Sequence, residues 1–475
     1  MKSKSVSPTG SLISGLLFGV ASLHVLTAAV LFAGQTQRTL PGDRADGLKT
    51  RMGHPSSVPS GYMAGARQAW VASYTGVFDE EPTGMIVDTS GNVYVTGYGG
   101  APDFYAFVTI KYNASGQEEW RAGYFFPNSI NFATAIAIDH AGNVYVTGTS
   151  GTFGSGGWDY VTIKYSSSGQ QQWVAQYNGP DNSDDRASAI AVDDLGNVYV
   201  TGTSGVSADY ATLKYNGSGQ QQWVARYSAQ GNSVAIGVDN LGNVYVTGSS
   251  SGDYATIKYD NSGEEEWVAR YPEGNPIAMA VDDLGSIYVT GSSAGDYATI
   301  KYDTLGQRLW VAQYNGTGNG DDRAAGLAID DSGNVYVTGA SSESDGFPSY
   351  ATVKYNSVGQ QQWASRYHSP DNLGDIATAI TVSRSGNVYV TGMSWASSSA
   401  SDYATIKYNS SGQEQWLARF DGGHGFDDYP IAIAVGRSDN VYVTGTSRQD
   451  AIRYDWDFAT IKYMSDRIPL PQPRP

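Results

Sequence analysis

The stretch Ala189-Ile-Ala-Val-Asp-Asp-Leu-Gly-Asn-Val-Tyr-Val-Thr-Gly202 holds two short strands and the turn between them. Ala189 to Asp193 alternates small and branched residues, and Asn197 to Gly202 is a β-branched and aromatic run. The Asp194-Leu-Gly-Asn segment joins them, with glycine supplying the positive φ of a tight connection. Two more strands follow, Asp209 to Tyr215 and Trp223 to Tyr227, joined by Asn216-Gly-Ser-Gly. Short connections of this kind make neighbouring strands antiparallel.

The unit recurs along the chain. Tryptophans at 70, 120, 173, 223, 267, 310, 363 and 416 fall 43 to 53 residues apart. Each copy also has a Val/Ile-Tyr-Val-Thr-Gly run, centred on Tyr94, Tyr145, Tyr199, Tyr245, Tyr288, Tyr336, Tyr389 and Tyr442. A Thr-x-Lys-Tyr run follows it, with lysines 111, 164, 214, 258, 301, 354, 407 and 462. Four antiparallel strands repeated eight times predict an all-β fold, an eight-bladed β-propeller. The 189–202 phrase resembles the bacterial SBBP β-propeller repeat and is similar to NHL-type repeats. The Gly169 to Trp173 spacing is similar to part of the tryptophan-docking motif of eight-bladed quinoproteins. By the NHL resemblance, strand one is innermost and the tryptophan strand outermost.

Counted that way, blade 1 starts near Gly84 and the eighth copy lacks its fourth strand, whereas Trp70 to Tyr74 is a fourth strand with no blade of its own. Pairing the two closes the ring, three strands from the end of the propeller segment and one from its beginning (3+1), and removes an exposed edge. The expected organisation is a signal peptide or membrane anchor at 1–34, a linker at 35–69, the propeller at 70–463 and a Pro-rich tail at 464–475. Lys2 and Lys4 precede an uncharged, mostly apolar run from Leu12 to Ala33. Its length fits both a cleaved signal and an uncleaved anchor, and either places the propeller outside the cytoplasm: secreted, periplasmic or at the cell surface.

Composition narrows the functions. A formal charge of −17 repels phosphate backbones, which argues against a nucleic-acid partner. The 475 residues include no cysteine, which excludes disulfides, thiolate metal sites and cysteine nucleophiles. Five histidines are scattered, with no His-x-x-x-His and no triad-like spacing. The repeated Trp and Lys residues read as structural, because a residue present in every blade does what every blade needs. The lysines are expected to pair with the aspartates that open strand three, at 209, 253, 296 and 402.

A ligand site would instead break the eightfold symmetry. Trp158, Trp395 and Trp456 lie outside the repeat positions, near the loops between strands two and three, and Tyr454 and Phe104 share those segments. Loops entering strand one share that face and carry Asp184, Asp185, Asp427 and Asp428. These residues are the candidate ligand contacts; the plainer alternative is a solvated acidic rim and loop-packing aromatics. No cofactor is expected. Calcium on some of the acids is a weaker expectation, since no Asp-x-Asp-x-Asp-Gly loop occurs.

The sequence thus favours a binding, adhesion or envelope scaffold module for a glycan or protein/peptide ligand. Contact is expected on the loop face of blades 7, 8, 1 and 2. The alternative is a propeller-type lyase or hydrolase with carboxylates near the central channel. Membrane attachment through the N-terminal apolar run is compatible with either.

Overall fold

The computed structural model describes residues 66–76, 79–101, 104–126, 129–151, 157–371, 373–396, 399–423, 425–448 and 456–465. The expected signal or anchor, nearly all of the linker and nearly all of the tail lie outside the described residues. Thirty-two strands form eight four-stranded antiparallel sheets, and a 3-10 turn at Arg437–Asp439 is the one helical element described. Strand one of the successive blades begins at Glu80, Ile130, Asp185, Ser233, Gly274, Asp322, Asp375 and Asp428, so blade 1 starts four residues before the expected Gly84. First strands of adjacent blades pack against each other around the ring, blade 8 against blade 1 included.

Closure is 3+1. The last sheet has the order Ala66–Tyr74, Trp456–Ser465, Val441–Arg448, Asp428–Val435, so the earliest described strand is the outer strand of blade 8. Its register sets Trp70 opposite Lys462 and Tyr74 opposite Phe458.

Each repeated residue has a definable task. Strand two and strand three are tied by a buried threonine pair in every blade, for example Thr201 and Thr212 at 3.0 Å. The strand-four indole packs on the hairpin glycine of the next blade: a Cβ at Gly263, where φ is +89°, would lie 2.7 Å from Trp223 Cδ2. Trp223 Nε1 donates to Asn261 O at 3.1 Å in the same hairpin. The contact repeats from Trp70 on Gly116 to Trp363 on Gly412. Trp416 is the exception. The chain has no strand-three-to-four hairpin in blade 8, and among the described residues the buried Trp416 Nε1 has no acceptor.

The lysines behave differently from expectation. Each ammonium lies over the strand-two tyrosine of its own blade, 4.7 Å from the ring centre for Lys301 over Tyr288 and 5.8 Å for Lys258 over Tyr245. Several also donate to the next blade's hairpin, as Lys164 does to Gly217 O at 3.2 Å and Lys462 to Ala114 O at 2.9 Å. The strand-three aspartates pair with strand-four arginines instead: Asp209 with Arg226 at 3.6 Å, Asp253 with Arg270 at 3.7 Å and Asp402 with Arg419 at 3.0 Å. Lysine and aspartate sit at opposite ends of strand three, too far apart to meet.

Candidate functional site: the loop face

Alternation along a strand sends successive side chains to opposite sides. In strand one the second acid-bearing position is therefore buried where its neighbour is accessible. Asp185, Asp322, Asp375 and Asp428 are wholly buried, which corrects the expectation of a solvated rim at Asp185 and Asp428. One oxygen of each accepts a backbone N–H from the incoming loop: Gly179 at 2.6 Å, Gly316 at 2.5 Å, Ser369 at 2.6 Å and Gly422 at 2.7 Å. Asp185 and Asp428 thus hold inter-blade junctions and face no open surface.

The preceding acids lock neighbouring blades together. Asp184 Oδ1 accepts the Trp158 N–H at 3.3 Å, Asp427 Oδ1 the Ser401 N–H at 2.9 Å, and Asp79 Oδ1 the Trp456 N–H at 3.3 Å. In each case the start of strand three in one blade is fastened to the loop entering the next.

The half-buried Trp158 stacks on Phe132, with ring centres 5.8 Å apart and planes inclined by 29°. Phe132 in turn meets Tyr98 edge-on at 4.7 Å and Tyr105 at 5.4 Å. Arg186 of blade 3 lies 4.9 Å over the Trp158 ring. On the far side, Trp456 packs against Tyr429 at 5.1 Å. The two groups connect through blade 1, where Asp79 holds Trp456 and Glu81 Oε2 accepts the Tyr98 hydroxyl at 2.5 Å. Burial, with Glu81 adding to it, pushes the Tyr98 hydroxyl far above the usual phenol range, so it stays a donor. Phe125 and Phe126, in the loop entering blade 2, are 55% and 47% exposed.

Trp395 stands apart. Its backbone N–H donates to Gly374 O at 3.2 Å, and the Cβ position of Gly374 lies 3.9 Å from Trp395 Cε3 and 3.5 Å from Pro348 Cδ, toward blade 6. Tyr454 lies outside the described residues; Phe104 opens strand three of blade 1, and its side chain is not described.

Tyr98, Phe132 and Tyr429 were not among the expected contacts. Their signal is positional: the second junction residue of strand one reads Glu81, Phe132, Arg186, Asn232, Asn275, Arg323, Ile376 and Tyr429 around the ring. Its strand-two partners are Tyr98, Thr149, Thr203, Ser249, Ser292, Ala340, Met393 and Thr446. Aromatic and apolar residues fall on blades 7, 8, 1 and 2; blades 4 and 5 carry short polar ones. Beside Trp158 an open cleft of about 520 Å³ is lined by Gly157, Asn182, Ser183, Asp184, Gly205 and Val206.

The molecule is therefore an eight-bladed β-propeller whose loop face is aromatic on one side and polar on the other. The SBBP family model, described as a β-propeller repeat, matches four regions of the chain, residues 79–105, 172–209, 222–255 and 309–348. No curated protein matches the chain in sequence. Among solved structures, Sqt1 from Chaetomium thermophilum is 10% identical with a TM-score of 0.56, over 85% of this chain and 100% of that one. A streptogramin B lyase is 11% identical with a TM-score of 0.43, over 85% of this chain and 98% of that one. A protein of unknown function from Bacteroides caccae is 13% identical with a TM-score of 0.36, over 61% of this chain and 97% of that one. At these identities a likeness concerns the fold alone.

Proposed function

We propose that the chain is an extracytoplasmic binding or envelope scaffold module whose glycan or peptide ligand lies across the loop face of blades 8, 1 and 2. The observation that carries this reading is the linked run Tyr429, Trp456, Tyr98, Phe132, Trp158 and Arg186, concentrated on one side of a ring whose other features repeat. Half-buried aromatic rings offer rigid apolar area at small entropic cost, while the Tyr98 hydroxyl and the Arg186 guanidinium supply polar contacts. Blade 7 contributes apolar Ile376 and Met393 at the edge of this region. The junction carboxylates speak for binding over turnover, because each buried one already accepts a backbone N–H. Placement outside the cytoplasm rests on the Leu12 to Ala33 run.

Glycan and peptide arrays probed with the full chain test the proposal. Retention on a related set of structures, with the bound species recovered unchanged, is the expected result. No retention on either array, or conversion of the retained species, would overturn it.

A further inference from the structure

A buried carboxylate needs a compensating charge or a proton. In blades 3, 6 and 7 a strand-four arginine stands at the junction. Arg226 donates to Ser204 Oγ at 2.8 Å, Arg366 to Ser341 Oγ at 2.8 Å and Arg419 to Ser394 Oγ at 2.7 Å. Each guanidinium lies near the buried acid of its own blade, Asp185, Asp322 and Asp375. The Cα partners of these arginines on strand three are Ala211, Ala351 and Ala404. In blade 8 the corresponding partner of Ala459 is Ser73, so the arginine is absent from the place where Asp428 is wholly buried.

Other acids approach instead. Asp402 of blade 7, Asp421 of the inter-blade loop and Asp428 each offer an oxygen within 4.8 Å of the others'. Arg419 pairs with Asp402 at 3.0 Å and neutralises one of the three charges, leaving two. The Asp428 Oδ1 and the Ser447 hydroxyl, both on wholly buried residues, make no hydrogen bond of acceptable geometry, although Ser447 is close enough to favour the ionised acid. They converge on one space: a Cβ on Gly422 would lie 2.2 Å from Ser447 Oγ and 3.1 Å from Asp428 Oδ1. At the equivalent Gly316, Arg366 Nη1 stands 3.2 Å from that point. Asp185 Oδ1 and Asp375 Oδ1 also lack hydrogen bonds, but each has its arginine beside it. Burial raises the Asp428 carboxyl to about 7, with Asp421 and Asp402 adding to the rise and Gly422 N–H and Ser447 opposing it.

We propose that the junction of blades 7 and 8 binds a calcium ion, held by carboxylate oxygens of Asp402, Asp421 and Asp428 and by Ser447 Oγ. An all-oxygen set of three carboxylates and a hydroxyl suits calcium better than magnesium, which demands a near-octahedral shell at shorter distances. The ion takes the place that the arginine holds in blades 3, 6 and 7 and fastens the blade that closes the ring.

The test uses the full chain freed of metal with a chelator, then titrated calorimetrically with CaCl2 while melting is followed in parallel. One ion should bind per chain and raise the melting temperature, with magnesium raising it less. Asp421 is exposed and its charge opposes that of Asp428, so Asp421→Asn should not lower melting in chelator while weakening calcium binding at least about tenfold. Ser73→Arg should restore the guanidinium, raise melting in chelator and abolish calcium binding. Absence of binding at millimolar calcium overturns the proposal. So does binding that Asp421→Asn leaves unchanged, whatever the fate of Ser73→Arg.

Discussion

Gly263 and Gly346 have the same φ, +89°, but different surroundings, which separates backbone strain from steric exclusion. A Cβ at Gly346 meets nothing within 4 Å, whereas one at Gly263 meets the Trp223 indole at 2.7 Å. Gly346→Ala should cost about 1–2 kcal/mol, the penalty of a left-handed conformation. Gly263→Ala should cost a further ~1–3 kcal/mol for displacing the ring. Urea unfolding of both variants checks this; equal losses would mean that the indole does not hold the hairpin. The lysines permit a second residue-scale prediction. Lys258 lies over Tyr245 and pairs with Glu266 at 2.7 Å, at the opposite end of its strand from the loop face. Lys258→Met should lower stability by about 1 kcal/mol and leave ligand retention unchanged. Spacing made the tryptophans and lysines legible as structural, but it misassigned the lysine's partner. The repeat shows which residues recur, whereas the partner depends on which end of strand three each occupies.

At the scale of the strand, closure by Ala66–Tyr74 was readable from the surplus of one outer strand at the beginning and the lack of one at the end. The strand carries Trp70, whose Nε1 donates to Ala114 O at 3.2 Å and whose ring rests on Gly116 in blade 1. It therefore links blade 8 to blade 1 as well as completing a sheet. A variant beginning at Gly76 should melt at least about 10 °C below one beginning at Gly65 and aggregate through its open edge. Trp70→Ala should destabilise the longer form by about 3–5 kcal/mol. Matching melting curves for the two lengths would contradict the closure. Strand boundaries were less legible: the inner strands start earlier than their hydrophobic runs suggest, because polar junction residues such as Glu80 and Asp428 join the ladder before the apolar alternation begins.

The whole ring is asymmetric in one respect that composition hides. Non-repeated tryptophans pointed to blades 2, 7 and 8, and two of the three have aromatic neighbours there. The partners themselves, Phe132, Tyr98 and Tyr429, lie inside strands, and a sequence run does not show which strand positions open onto the loop face. The acids misled for the converse reason: Asp185 and Asp428 look like a charged loop but face inward, because the pleat turns adjacent residues of Asp184-Asp185 and Asp427-Asp428 to opposite sides.

The most direct test of the account compares one ligand, identified by array, on three proteins: the parent, the double variant Phe132→Ala/Trp158→Ala, and the double variant Asn232→Ala/Asn275→Ala. All three should keep the parent's far-ultraviolet spectrum. The aromatic pair should weaken binding by at least about a hundredfold, as expected for two stacking anchors, while the asparagine pair on blades 4 and 5 changes the Kd less than about threefold. Equal losses in the two variants, or full affinity in the aromatic one, would contradict a binding face centred on blades 8, 1 and 2.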